Sequence, residues 1–132
     1  ESPVGKMFIQ PHVKLESGEK VLLDDVIGND FAIIAWGVDP QWGISDSTMQ
    51  VWKNLGVKFI QIIPEVQFGN ENRKKFDGVI TLGDIGTDIR TWFGKTSDSV
   101  VILRPDRFVA ALAIPQTLDH ISQQLFKKLH VK

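Results

Sequence analysis

Residues able to carry out acid–base, nucleophilic or metal chemistry are few in this sequence, and they are widely spaced. The chain contains no cysteine, which excludes disulfide exchange, peroxide reduction by a thiolate and thiolate metal sites. The three histidines, His12, His120 and His130, do not stand at the spacing of metal ligands, so we interpret them as solvated. No serine lies in a nucleophile-elbow pattern. We therefore predict no catalytic residue and no metal ligand in this chain.

Asp39 is the carboxylate that invites comparison with a general base. It lies in a glycine-rich loop, residues 37–43, between a predicted strand and a predicted helix. A base at this position would need burial or a neighbouring charge to raise its pKa. Asp followed by Pro40 is typical of the start of a turn, and we adopt that interpretation. A small hydrolase or isomerase that uses Asp39 or His12 is the least favoured alternative, because no second catalytic group stands at a recognisable spacing.

A second glycine-containing stretch, residues 83–88, precedes a predicted helix in the manner of a phosphate loop. It lacks both the G-x-G-x-x-G spacing and the lysine of a P-loop. We interpret it as the start of a capped helix, with Thr87 as the cap and Asp88 in the first turn. The sequence thus predicts no cofactor-binding residue in this chain.

The four tryptophans could line a ligand pocket, but core packing explains Trp36, Trp52 and Trp92 more simply. Trp42 lies between Gln41 and Gly43 in the first loop. We expect its side chain to be exposed, and we regard it as a candidate contact for a partner.

The elements that position these residues are organised around a hairpin near the C-terminus. Two apolar runs, residues 100–103 and 108–112, flank Arg104, Pro105, Asp106 and Arg107. Proline fixes φ at the second position of a tight turn, and the aspartate can bond the backbone that follows it. Both faces of each arm are apolar, so we expect the hairpin to be covered on both sides.

The remaining patterns predict one domain over residues 1–132. Residues 1–30 form an entering arm, a short hairpin around Gly18 and a helical turn that ends at Gly28. Residues 31–132 form a core in the order β-α-β-α-β-β-α, in which residues 78–82 are either a short strand or a covered segment. Ser45, Asp46 and Ser47 offer N-caps for the first core helix, and Ser47 and Gln50 are spaced as a capping box. Leu118, Ile121, Leu125 and Leu129 form the apolar stripe of the last helix.

This order is that of the thioredoxin fold, an α/β fold with a mixed central sheet and helices on both faces. Strand, helix and strand at the start of the core predict a right-handed parallel unit. In enzymes of this fold, two cysteines at the N-terminus of the first core helix carry the redox chemistry. The corresponding loop here, residues 36–43, contains no sulfur.

Composition limits the partners and the location. The formal net charge of the 132 residues is −1, which argues against binding nucleic acid. No run is long and apolar enough to span a membrane, and no signal peptide opens the chain. The absence of cysteine is typical of a reducing compartment, so we expect a cytoplasmic location.

The hairpin resembles a motif of the FAD-dependent aromatic hydroxylases. Leu103 to Ala110, LRPDRFVA, is similar to the R-P-D-x-aromatic-V-A hairpin near the C-terminus of these enzymes. The opening is similar as well, in Pro11-His12-Val13, residues 22–28 and Phe31-Ala32-Ile33-Ile34. The nearest type is the 3-(3-hydroxyphenyl)propionate hydroxylases, and the similarity extends over nearly the whole chain. Many of these proteins have glycine where this chain has Arg107, so a positive φ there would strain the arginine mildly.

The resemblance implies a fragment of a longer chain that binds FAD in its N-terminal region, is reduced by NAD(P)H and hydroxylates a phenolic ring. The fragment itself would be non-catalytic and would bind no cofactor. Its partners would be the N-terminal FAD and substrate domains and further copies of the parent chain, a homo-oligomer. The motif Arg104, Pro105, Asp106 and Phe108 would be structural. The alternative function is a free-standing, redox-inactive thioredoxin-like module that binds a protein partner through the Trp42 loop.

Overall fold

The computed structural model describes residues 2–130 and shows one mixed sheet between two layers of helices. The elements, in chain order, are β1 (His12–Lys14), β2 (Lys20–Leu22), α1 (Leu23–Ile27), β3 (Ala32–Trp36), α2 (Asp46–Asn54), β4 (Lys58–Pro64), a 3₁₀ turn (Glu65–Gly69), β5 (Val79–Asp84), α3 (Asp88–Gly94), β6 (Val100–Leu103), β7 (Val109–Ala113) and α4 (Leu118–Lys128).

The sheet has seven strands in the order β2-β1-β5-β4-β3-β6-β7. The three strands at its centre, β3, β4 and β5, run parallel, and the two at each end are antiparallel to their neighbours. The parallel pairing of β3 with β4 confirms the predicted strand–helix–strand unit. β6 is buried along its whole length, because apolar residues on both of its faces are covered by helices.

Two apolar clusters fill the space on either side of the sheet. One lies between the sheet and the pair α1 and α3, and the other lies beneath α2 and α4. In the second cluster the fully buried Trp52 donates from Nε1 to Ser122 Oγ at 2.9 Å and packs edge-on against Phe126. This bond satisfies both polar groups in an apolar environment. Helices therefore cover both faces, as the sequence predicted.

The arm before β1 forms an additional short pairing with the C-terminal hairpin. Phe8 N donates to Arg107 O at 2.8 Å, and Val109 N donates to Lys6 O at 2.8 Å. Phe8 is buried and meets Trp92 with ring centroids 4.7 Å apart. The arm is therefore fixed to the body of the domain.

The segment that the sequence left open, residues 78–82, forms a strand, and β5 runs from Val79 to Asp84. Two local predictions about the helices were wrong. The N-cap of α2 is Ser45 rather than Ser47, while Gln50 donates to Asn54 instead of closing a capping box. The apolar face of α4 does not continue to Leu129, which is 39% exposed.

The buried residues of α4 include Ser122 and Phe126 instead. Among residues 2–130, no helix is long and apolar enough to cross a membrane.

Candidate functional site

The loop between β3 and α2 occupies the position at which enzymes of this fold carry their cysteines. The backbone turns at Gly37, which has φ of +75° and donates its N–H to Ile62 O at 2.8 Å. Asp39 Oδ1 accepts a hydrogen bond from Gln41 N at 2.9 Å, so this carboxylate holds the turn that the sequence predicted.

Trp42 lies at the tip of this loop and is 54% exposed, which confirms the predicted exposure. The next residue, Gly43, has φ of +76°, and a Cβ there would lie 3.3 Å from Pro115 O. Glycine thus lets the loop approach the β7–α4 connection closely. The exposed indole is available to a partner, and such a contact stays a prediction.

The N-terminus of α2 is already occupied by side chains of this chain. Ser45 Oγ accepts from Thr48 N at 3.3 Å, and Asp119 Oδ1 accepts from Ser45 N at 2.8 Å. The hydrogen bond from Ser45 N is the main reason that the pKa of Asp119 is lowered. In a thiol enzyme this end of the helix would stabilise a thiolate. Here a carboxylate from α4 takes that place.

The turn between β5 and α3 contains a buried acid that the sequence analysis did not single out. Asp84 is 5% exposed, and its Oδ2 accepts from Arg90 N at 3.3 Å. Its Oδ1 is buried without a hydrogen-bond partner among the residues described. Burial raises the pKa of this carboxyl above its usual range, against the lowering effect of the backbone N–H groups of Arg90 and Ile89.

Asp84 thus takes part of the role that the sequence assigned to Thr87. Thr87 does stand at the N-cap position of α3, but its side chain makes no capping hydrogen bond. The signal available in the sequence was an aspartate at the end of an apolar strand and shortly before a helix. A phosphate would meet the Asp84 carboxylate at this turn, so the structure favours the predicted helix start over a phosphate loop.

The motif in the C-terminal hairpin forms the predicted tight turn. Arg107 N donates to Arg104 O at 2.9 Å across Pro105 and Asp106. Asp106 Oδ1 accepts from Phe108 N at 3.2 Å and also pairs with the Arg104 guanidinium, which lies over the Phe108 ring at 5.3 Å. The pairing with Arg104 is the main reason that the pKa of Asp106 is lowered. These side chains fix the turn.

Arg107 adopts a positive φ of +72°, the conformation that the glycine of related proteins at this position suggested. Its side chain is 12% exposed. Nε donates to Asp24 Oδ1 at 2.8 Å, Nη1 to Pro105 O at 2.8 Å and Nη2 to Gly28 O. The guanidinium therefore joins the hairpin turn to the C-terminal end of α1, where cations are favoured. These contacts offset the backbone strain, and sequence reasoning did not find them.

The histidines lie apart and on the surface. His12 is in β1, His120 is in α4, and both are exposed, as is His130. Across residues 2–130 the structure brings together no group of three histidine, aspartate or glutamate side chains that could hold a metal ion.

The fold and this thiol-free loop define a thioredoxin-like domain. A thioredoxin-like protein from Bacteroides caccae matches 92% of this chain and 49% of its own length, with a TM-score of 0.66 at 16% identity. The reduced 2-Cys peroxiredoxin of Plasmodium vivax matches 98% of both chains, with a TM-score of 0.58 at 14% identity. These likenesses show the fold alone.

The chain belongs to the HcaD C-terminal domain family, whose model matches residues 5–128. It is 55% identical over 128 residues to a 3-(3-hydroxy-phenyl)propionate/3-hydroxycinnamic acid hydroxylase of Klebsiella pneumoniae, covering 97% of this chain and 23% of that protein. It is 52% identical over 124 residues to the protein of the same description from Shigella sonnei, covering 94% of this chain and 22% of that protein. The chain therefore spans less than a quarter of the length of these curated relatives.

The residues present do not fit the flavin that the hydroxylase resemblance implies. Dinucleotide phosphates bind where glycines bring a helix N-terminus close to them. Both glycine-containing strand–helix connections described above end at helices with an N–H of the first turn already bonded to a side chain, Thr48 N to Ser45 Oγ and Arg90 N to Asp84 Oδ2. We therefore assign no step of flavin chemistry to this chain.

Proposed function

We propose that this chain is the C-terminal domain of an FAD- and NAD(P)H-dependent monooxygenase that hydroxylates 3-(3-hydroxyphenyl)propionate or a closely related phenol. The identity of more than half of the aligned residues to hydroxylases of that description carries the proposal. In the overall reaction, O2 supplies one atom to the ring and one to water, and NAD(P)H supplies the two electrons. A cytoplasmic location is part of the proposal, because that is where NAD(P)H would be available.

Within such an enzyme, this domain would be non-catalytic and would support stability and subunit association. Three observations support this role: the thiol-free loop, the occupied helix N-termini and the side chains of the hairpin motif, which bond to one another and to α1. Every polar group described in the hairpin contributes to the turn or to its attachment.

The proposal is tested on the natural full-length protein, purified with its flavin. We expect oxidation of NADH or NADPH to depend on 3-(3-hydroxyphenyl)propionate, and the product mass to increase by one oxygen. Trp42→Ala should leave the turnover number of the flavin-loaded enzyme unchanged, since the indole is exposed and lies outside the catalytic region. A large loss of turnover in a folded, flavin-loaded Trp42→Ala enzyme would contradict the non-catalytic role.

The exposure of Trp42 also favours a second candidate function, a redox-inactive module that binds a protein partner through the 37–43 loop. An aromatic side chain at the tip of a loop is typical of an interaction site. A natural protein without flavin whose binding to a partner is weakened by Trp42→Ala would support this alternative.

A further inference from the structure

α3 is bordered by open cavities on both of its long sides. On the side of the N-terminal arm, a cavity of about 300 Å³ lies between Pro11 and Thr91, and a smaller one of about 90 Å³ lies between Pro3 and Lys95. On the opposite side, a cavity of about 270 Å³ lies between α3 and the ends of β3 and β6. The helix therefore stands as a ridge between two grooves.

A row of four aromatic rings runs beneath this ridge. Phe8 meets Trp92, Trp92 meets Phe93 with centroids 4.9 Å apart, and Phe93 stacks on Trp36 at 6.4 Å. The two phenylalanines are buried, whereas the two tryptophans are only partly buried and reach the grooves on either side. Partly exposed tryptophans around an apolar centre are typical of protein interfaces.

Charged side chains surround this centre, as at the rim of an interface. Asp88 and Lys95 border the arm-side groove, and Arg90 borders the other. The rim carries both signs of charge, which does not favour a nucleic acid or another uniformly charged partner.

The N-terminal arm brings the chain to this same surface and holds it there. Backbone hydrogen bonds from Gly5 N to Val109 O at 2.9 Å and from Val109 N to Lys6 O fix the arm to β7. Before them, a turn closed by Lys6 N to Pro3 O at 3.1 Å leads the chain to Pro3. Pro3 lines the small cavity together with Trp92 and Lys95. Pro3 therefore places the start of the arm at the groove beside α3.

We propose that the surface formed by α3, Trp36 and Trp92 is the docking surface for the preceding domain of the same polypeptide. This inference rests on the proposed function, in which the remainder of the chain, more than three times as long as this domain in the relatives and including the flavin-binding part, precedes it. The preceding domain is tethered to this one at a fixed point beside the grooves. It is therefore the occupant at the highest effective concentration. Burial of the two tryptophans against that domain would couple the stability of the two parts.

The test uses the natural full-length, flavin-loaded protein with one cysteine introduced into this domain. Thr91→Cys places a thiol on the exposed side of α3, and Gln124→Cys places a matched control on the exposed side of α4. The rate of alkylation at the introduced cysteine is measured by mass spectrometry of its peptide. This rate is then divided by the rate of alkylation of the same residue in denaturant. Lys95→Cys repeats the test on the same surface, in case Thr91→Cys alters α3.

We expect alkylation at Thr91→Cys and Lys95→Cys to be at least about tenfold slower than at Gln124→Cys, since reaction requires the interface to open. A difference of less than about tenfold between these two residues and residue 124 overturns the inference. Protection that is lost when the enzyme is diluted to monomers also overturns it, since the occupant would then be a second copy.

Failure of the proposed function is distinguishable from failure of this inference. A natural protein of larger mass that carries flavin and hydroxylates the phenol, but alkylates residues 91 and 124 at equal rates, retains the function and rejects the docking surface. A natural protein without flavin or a preceding domain rejects both.

Discussion

Arg107 and Asp24, 83 positions apart in the sequence, form an ion pair between the C-terminal hairpin and α1, with Nε and Oδ1 2.8 Å apart. The pair links the last hairpin of the domain to its first helix. It involves a non-glycine residue at φ of +72°, which places side-chain contacts and backbone strain at the same position. Because the ion pair joins two distant parts of the chain, it would make the hairpin central to the stability of the domain.

We predict that Arg107→Ala lowers the free energy of unfolding by about 2 kcal/mol or more, because the guanidinium donates several charge-assisted hydrogen bonds from a nearly buried position. Arg107→Gly should lose about 1 kcal/mol less, since glycine relieves the positive φ. Urea denaturation of the two variants measures both values.

Arg104→Ala is the matched control, because its guanidinium is exposed and the contacts described for it, with Asp106 and the Phe108 ring, lie within the turn. We expect little change in its free energy of unfolding. Equal losses for Arg104→Ala and Arg107→Ala would contradict the role assigned to the Arg107–Asp24 pair.

Asp84 should make the domain less stable as the pH rises. Its pKa is raised in the folded state, so the protonated form is preferred on folding. Stability from this group is fully present below the unfolded pKa, near 3.8, and is lost as the pH rises through the folded pKa. Asp84→Asn should remove this dependence and be more stable than the parent chain at neutral pH. If the unfolding free energies of Asp84→Asn and the parent chain changed with pH in parallel, this prediction would be contradicted.

Ser122→Ala should cost about 1–3 kcal/mol, because it leaves the indole N–H of Trp52 buried without its acceptor. Thermal melting measures this loss, and Gln124→Ala, on the exposed side of the same helix, provides the control. A melting temperature equal to that of the control would show that the Trp52–Ser122 hydrogen bond contributes nothing.

The exposed and buried tryptophans should differ strongly when truncated. Trp52→Ala should cost about 3–5 kcal/mol, as expected for a large buried side chain. Trp42→Ala should leave the free energy of unfolding nearly unchanged, because its side chain is 54% exposed. Urea denaturation measures both values. Similar losses of unfolding free energy in the two variants would contradict the exposed position of Trp42.

Local patterns predicted the strands and the hairpin turn correctly, because their determinants lie close together in the sequence. Apolar runs fix β3, β4 and β6, and Pro105 with Asp106 fixes the turn. The exposure of Trp42 followed equally from its position between loop-forming residues.

Tertiary contacts decided the features that were predicted wrongly or missed. Ser45 rather than Ser47 caps α2, and its N–H bonds to Asp119, 74 positions away. No local pattern reports that α1 will lie within reach of Arg107. Likewise, the burial of Asp84 depends on β5 lying between β1 and β4 in the sheet.

The intact mass and visible absorption spectrum of the natural protein that contains residues 1–132 test the central claim most directly. We predict a chain several times longer than 132 residues that purifies with bound flavin, as expected for a hydroxylase that carries this chain as its C-terminal domain. A colourless protein whose mass is close to 14.8 kDa would contradict the claim. It would redirect the search to protein partners of the Trp42 loop.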